Sequence, residues 1–129
     1  MQSYITSKLR DLRNKMNIKI VTDTITIDEL KDIAKEFYVE IIKGVVDVET
    51  GIMAFGGEYH SDANRKLIEN GSEQKNVWGF IIHFYKPESE WIEYKSHINV
   101  RPEQGNIDLV ISDQNLCKKM RSIIDSKLV

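Results

Sequence analysis

NVWGFIIHFYKPESEWIEYKSHINV, residues 76–100, is the segment of this chain with the clearest strand pattern. Its two halves alternate between two sets of side chains, and the polar run KPESE, residues 86–90, separates them, which is typical of a β-hairpin. If the loop is symmetric, His83 lies directly opposite Glu93. The even-numbered residues of both strands then share the core face, and the odd-numbered residues share the other face.

The segments around this hairpin predict the remaining elements. TIDELKDIAKEFYVEII, residues 26–42, begins with a capping box of Thr26 and Glu29 and repeats apolar residues every three to four positions, so it predicts a helix that ends before Gly44. Two apolar runs on either side of Gly51 predict a shorter hairpin. The other predicted elements are a helix at residues 3–16, a strand at 17–21, a short helix ending at Gly71 and a final helix beginning at Asp113.

This order of elements predicts an α+β fold. Two hairpins that follow one another favour a mainly antiparallel sheet, for which we expect four or five strands, with amphipathic helices packed on one face. Residues 17–129 are therefore expected to form a single two-layer domain. Residues 1–16 are expected to be an N-terminal helical extension whose apolar stripe packs on this domain or on a second copy of the chain.

Composition indicates a globular domain with its own core. The chain has 129 residues, of which 41% are hydrophobic and 29% charged, enough to bury a core without a disulfide or a metal. Its single cysteine, Cys117, excludes an intramolecular disulfide, and its position beside an apolar stripe favours a core residue over a nucleophile. The N-terminal stretch has no apolar core of a secretory signal and no run is long enough for a membrane span, so we expect a cytoplasmic protein without a membrane partner.

Charge is unevenly distributed along the chain. Residues 1–19 carry a formal charge of +4 and the remaining residues −6. A basic arm on an acidic body is compatible with nucleic-acid binding, but the charge density is low, and a solvated helix face explains the pattern as well. Nucleic acid is therefore the least favoured partner.

The odd-numbered face of the 76–100 hairpin is rich in polar and aromatic side chains. One interpretation is a solvated sheet face with cross-strand ion pairs. The other is a ligand cleft or a subunit interface, because aromatic residues and histidines cluster at such surfaces. The side chains concerned are His83, Tyr85, Trp91, Glu93, Lys95, His97 and Asn99, with Arg101 continuing the line.

GGEYHSDANR, residues 56–65, brings chemistry-bearing side chains together in sequence. Glu58, His60 and Asp62 occupy every second position, so an extended backbone would project them together. Such a set could hold a divalent metal or tune His60 as a general base. The spacing is not specific, and a polar turn between a strand and a helix, with Asp62 capping the helix, explains the same residues.

RPEQGN, residues 101–106, is a candidate anion-binding turn. Arg101 offers a planar guanidinium fork for a carboxylate or phosphate, and Gln104 lies in the same turn. Backbone amides near Gly105 and Asn106 could complete an anion cradle. The alternative is a surface turn that its proline makes rigid.

Three segments taken together, GGEYHSDA, GSEQKNVWGF and INVRPEQGN, resemble a family of short uncharacterised prokaryotic proteins known only as a domain of unknown function. The resemblance covers residues 18–128 and implies no activity. The family tends to be basic just after the last of these segments, where this chain has IDLV, which weakens a phosphate-binding role for that loop. The candidate residues inside the three segments are Glu58, His60, Asp62, Arg101, Gln104, Gly105 and Asn106.

Three functional hypotheses follow. The leading one is a binding or interaction module that takes a small anionic ligand, or a second copy of the chain, at residues of the polar face and the 101–106 turn. The second is a small hydrolase that uses His60 or His97 with a nearby carboxylate such as Glu58, with or without a divalent metal; the sequence itself requires no cofactor. The third is a nucleic-acid-binding accessory protein. For the first two we expect one concavity shared by His60, His97 and Arg101. The ligand-binding candidates are Arg101, Gln104, Gly105, Asn106, His83 and Glu93.

Overall fold

A computed structural model describes residues 16–129, and a sheet of five strands lies at the centre of this part of the chain. The first fifteen residues, and with them nearly all of the predicted N-terminal helix, lie outside the described residues. The strands are β1 (Lys19–Val21), β2 (Ile41–Asp47), β3 (Met53–Phe55), β4 (Val77–His83) and β5 (Ile92–Glu93), and the helices are α1 (Ile27–Ala34), α2 (His60–Glu69) and α3 (Gln114–Lys127). Short 3-10 turns cover Gln74–Asn76, Glu88–Glu90, His97–Asn99 and Pro102–Gln104.

The strand order is β1-β3-β2-β4-β5, and every neighbouring pair is antiparallel. This arrangement confirms the predicted α+β class and the mainly antiparallel sheet. The shorter hairpin is confirmed as β2 and β3, with Gly51 in the turn at a φ of +78°. None of the helices within residues 16–129 is long and apolar enough to cross a membrane.

Helices cover both faces of the sheet. One face packs against α1 and α3 and contains the even-numbered residues of β4, as predicted, including the fully buried Phe80. The opposite face, called here the α2 face, packs against Ala63 and Leu67 of α2. This helix adds a third layer that the predicted packing on one face did not include. The strand residues beneath it are Val45, Ala54 and Val77.

Helix α1 is shorter than its apolar periodicity predicts. It begins at the predicted cap, where the Thr26 hydroxyl accepts a hydrogen bond from the Glu29 amide at 3.0 Å, but it ends at Ala34. The following run EIIKGVV is rich in β-branched residues and forms the central strand β2, so strand pairing outcompetes helix extension there. Gly44 does not stop a helix. It lies in β2, where a Cβ atom would come within 2.6 Å of the Phe80 ring.

The second hairpin keeps its predicted faces but not its predicted pairing. Glu93 lies opposite Ile81 rather than opposite His83, a shift of two residues. Within β4 and β5 a shift of two leaves each side chain on its expected face, because side chains alternate with a period of two. Trp91, just before β5, was expected on the odd-numbered face but packs against Phe84 in the core cluster of the opposite face. The predicted strand at 91–100 is wrong beyond Glu93, since β5 ends there and a 3-10 turn covers His97–Asn99.

Side chains take the place of the missing part of β5. The Gly79 amide donates to Oδ1 of Asn99 at 2.8 Å, and Nδ2 of Asn99 donates to the Gly79 carbonyl at 3.0 Å. One turn further on, the Arg101 guanidinium donates to the Val77 carbonyl. The buried outer edge of β4 is thus paired first by a strand and then by a carboxamide and a guanidinium, which satisfies its backbone groups.

A second asparagine holds the loop that carries these side chains. Nδ2 of Asn106 donates to the carbonyls of Asn99 and Asp108, each at 2.8 Å, and its Oδ1 accepts from the Ser112 amide at 3.0 Å. The Arg101 amide donates to the Asn106 carbonyl at 2.7 Å. The RPEQGN turn is therefore fastened by its own side chains.

The carboxamide of Asn99 can be tested by a change of one atom. Asn99→Asp replaces its amide donor by a carboxylate oxygen that faces the buried Gly79 carbonyl, so we expect a loss of about 3 kcal/mol in the free energy of unfolding. Urea unfolding would measure it. The matched control Asn115→Asp, on an exposed residue of α3, should change stability by less than about 0.5 kcal/mol. Equal, small effects of both variants would mean that Asn99 does not secure the edge of β4.

Candidate functional site

A cavity of about 230 Å³ lies on the α2 face, beside the N-terminal end of α2. Three parts of the chain build it: strand β2, the start of α2 and the 3-10 turn after β5. We call it the α2 cavity. Its lining residues are Lys43, Tyr59, His60, Ser61, Ser96, His97 and Ile98.

His60 is a buried polar side chain of the α2 cavity. It is 7% exposed, and its Nε2 lies 2.7 Å from the Phe80 carbonyl oxygen. A carbonyl oxygen only accepts hydrogen bonds, so Nε2 carries the hydrogen and, in the neutral ring, Nδ1 carries a lone pair. Burial is the largest cause of a His60 pKa that is lowered to about 4; the charges of Lys43 and His97 add to this shift and the bond to Phe80 opposes it. The imidazole is therefore neutral at neutral pH.

Gly79 lets His60 and the turn after β5 approach β4 closely. A Cβ atom at this position would lie 2.6 Å from Cβ of Ser96 and 3.1 Å from Cδ2 of His60. The Cδ2–Nε2 edge of the imidazole consequently faces the strand. Nδ1, on the other side of the ring, points away from β4, and no hydrogen bond joins it to a described residue.

Lys43 supplies positive charge to the α2 cavity. It is half-buried in the central strand β2, where its Nζ donates to the Glu58 carbonyl at 2.9 Å and to the Tyr38 hydroxyl at 3.3 Å. The ammonium also lies over the rings of Tyr38 and Tyr59, 4.9 and 5.4 Å from their centroids. Among residues 16–129 no carboxylate pairs with Lys43. Its charge is held by neutral groups and has no counter-ion there.

The start of α2 adds hydrogen-bond donors. Tyr59 occupies the N-cap position, where its side chain accepts no hydrogen bond from the first turn, and the Asp62 carboxylate reaches back to the Tyr59 amide at 3.0 Å. The amides of His60 and Ser61 donate to no described residue. A helix N-terminus with unpaired amides carries partial positive charge and favours anions.

The three candidate metal ligands are not brought together. Glu58 is exposed, His60 is buried against β4, and Asp62 is engaged by the Tyr59 amide. Within residues 16–129 no group of three His, Cys, Asp or Glu side chains could hold a metal ion.

Arg101 lies outside the α2 cavity. It is 6% exposed, stacks 4.1 Å from the centroid of the Trp78 ring, and donates to backbone carbonyls, including that of Gln74 at 2.8 Å. Burial lowers the pKa of its guanidinium. It lines a neighbouring open cavity of about 680 Å³ together with Gln104, and Ile98 is common to both cavities. The expected concavity is therefore shared by His60 and His97 but does not include Arg101.

The other candidates serve the framework. Nε2 of His83 and Oε1 of Glu93 are 2.9 Å apart, away from the α2 cavity, and Nδ1 of His83 is buried without a partner among the described residues. Gly105 adopts a φ of +84° in the turn that Asn106 fastens. Cys117 is buried in the core, as predicted, and burial raises the pKa of its thiol.

Besides Ile98, four polar lining residues were not identified from the sequence: Lys43, Tyr59, Ser61 and Ser96. Lys43 had a usable signal, because it is a single charge inside the apolar run IIKGVV, where a solvated residue is unexpected. Ser96 had none, since its position depends on the end of β5.

A family model described as "Protein of unknown function (DUF5674)" matches residues 19–127. This confirms the resemblance to a domain of unknown function. No curated protein and no solved structure matches the chain.

The close approach at Gly79 predicts a steric effect. Gly79→Ala places a methyl group against Ser96 and His60, so we expect a loss of about 2 kcal/mol in the free energy of unfolding. Gly79→Ala combined with Ser96→Gly removes the nearest obstructing atoms and should restore part of this loss relative to Ser96→Gly alone. Urea unfolding of the four proteins measures this coupling, and strictly additive effects would contradict the contact.

The buried imidazole predicts a dependence of stability on pH. Above pH 6.5, the ordinary pKa of histidine, His60 is neutral in both states. Between that value and about 4 the unfolded chain binds a proton that the folded chain excludes, so stability falls as the pH is lowered, by about 3 kcal/mol in total. In His60→Gln a carboxamide can donate to Phe80 without titrating, and this part of the loss should disappear. Unfolding of both proteins measured across this pH range tests this prediction. The same pH dependence in His60→Gln as in the unsubstituted chain would contradict the lowered pKa.

Proposed function

Because the chain belongs to the DUF5674 family, whose function is unknown, we infer its function from the α2 cavity alone and propose that the cavity binds a small oxyanion. The observation that carries this proposal is the charge of the lining. Lys43 and the start of α2 contribute positive charge, and among the described residues no carboxylate side chain belongs to the lining. An anion would supply the counter-charge that Lys43 lacks among the described residues.

The donors suit an oxyanion in particular. The amides of His60 and Ser61, the hydroxyl of Ser61 and the ammonium of Lys43 come from two elements, α2 and β2, and together offer several donors to an anion with several acceptor oxygens. His97 lies at the exposed side of the cavity and can donate as well. A volume of about 230 Å³ favours a small group such as phosphate, sulfate or a short carboxylate over a large ligand.

Binding is better supported than hydrolysis. A general base works best with a pKa near the working pH, and the His60 pKa of about 4 makes it a weak base. Its Nε2 is also occupied by the Phe80 carbonyl rather than oriented by a carboxylate. His97 is exposed, and no described carboxylate pairs with it.

The proposal predicts that one lysine controls anion binding. In a titration of the full chain with inorganic phosphate, sulfate and acetate, followed by NMR, amide shifts should concentrate at Ser61, His97 and the start of α2 for at least one anion. Lys43→Met should weaken that binding by about tenfold or more, because it removes the ammonium that the described lining residues supply.

Lys31→Met is the matched control. Lys31 also lies over an aromatic ring, 5.9 Å from the centroid of Phe84, but it belongs to α1 on the other side of the sheet. This variant should leave anion affinity unchanged. Shifts scattered over exposed lysines, or equal losses in both variants, would refute a site in the α2 cavity.

A further inference from the structure

We propose that the α2 cavity selects an oxyanion that carries its own hydrogen, such as hydrogen phosphate, and discriminates against sulfate. This inference rests on the proposed function and concerns one atom, Nδ1 of His60. The remaining polar groups of the cavity accommodate any oxyanion. Nδ1 distinguishes oxyanions that carry a hydrogen from those that do not.

Two contacts fix the direction of the His60 imidazole. Its Nε2 is bound to the Phe80 carbonyl at 2.7 Å, and its Cδ2 lies against Gly79. Both contacts hold the same edge of the ring on β4. Nδ1 is therefore turned away from the strand, on the side where His60 lines the cavity beside Lys43 and His97.

Nδ1 of His60 is a hydrogen-bond acceptor. With the hydrogen on Nε2 and the ring neutral, Nδ1 only accepts hydrogen bonds. No described residue donates to it, and His60 as a whole is buried, with 7% exposed. Water in the cavity can satisfy Nδ1, but a ligand that displaces this water has to bring a donor of its own.

The other polar groups of the lining differ from Nδ1 because they can donate hydrogen bonds. Lys43 and the first amides of α2 only donate, while the hydroxyls of Ser61 and Ser96 can donate or accept. The Ser96 hydroxyl oxygen already accepts from the Ile98 amide at 3.2 Å. An oxyanion without hydrogen would satisfy the donors and place a negative oxygen against the lone pair of Nδ1. An oxyanion with a single O–H accepts from the donors and also donates to Nδ1.

Hydrogen phosphate and sulfate form a matched pair for the test. At about pH 8 inorganic phosphate is mainly a dianion with one O–H, whereas sulfate is a dianion of the same shape with none. We would titrate the full chain with each salt at equal ionic strength, using isothermal calorimetry. Phosphate is expected to bind at least about tenfold more tightly than sulfate, since bound sulfate covers Nδ1 without donating a hydrogen bond to it.

A second measurement locates the effect. Nitrogen-15 NMR of the His60 ring reports which nitrogen carries the hydrogen and whether the other accepts a hydrogen bond. The Nδ1 resonance should shift toward a hydrogen-bonded acceptor when phosphate is added and stay in place with sulfate, while Nε2 keeps its hydrogen throughout.

The outcomes separate this inference from the proposed function. Equal affinities, or tighter binding of sulfate, would overturn the selection and leave oxyanion binding intact. A phosphate preference without a shift of Nδ1 would also overturn it, because another group would then be responsible. If no anion of the NMR panel binds, both proposals are wrong.

Discussion

The hydrogen bonds between the Asn99 carboxamide and the peptide groups of Gly79 are the constraint on which the second half of the structure depends. Strand β5 is too short to cover β4, so the remaining backbone groups of that edge need other partners. A carboxamide has one donor and one acceptor side by side, as a peptide group has, and it replaces a strand residue at Gly79. Further along the same edge the Arg101 guanidinium, which only donates, pairs the Val77 carbonyl alone.

This substitution of side chains for a strand also creates the α2 cavity. Because Asn99 is tied to β4, the turn that precedes it lies over the sheet and brings Ser96 and His97 next to the start of α2. The missing Cβ of Gly79 gives Ser96 and His60 the room to lie there. The polar groups that stabilise the fold and those that line the cavity thus occupy one connected region, with Lys43 supplying charge from the neighbouring strand.

Local patterns in the sequence predict much of the framework. The alternation in residues 76–100 identifies the core face of β4, and it holds despite the two-residue shift because a shift of two preserves the faces. The capping box at Thr26 and the Asp113 cap mark where α1 and α3 begin. These features depend on residues that lie close together in the sequence, so the sequence alone is enough to predict them.

Non-local contacts determine the end of α1, the length of β5 and the membership of the candidate site. The apolar periodicity of α1 continues past Ala34, but pairing of β2 with two strands takes those residues. Arg101 looks like an anion ligand in sequence, and only the position of its carbonyl partners shows that its donors are committed to backbone. Lys43 and His60 come from different elements, so no spacing in the sequence predicts that they line one cavity. Local propensity is a property of a segment, whereas a cavity is a property of the packing between segments.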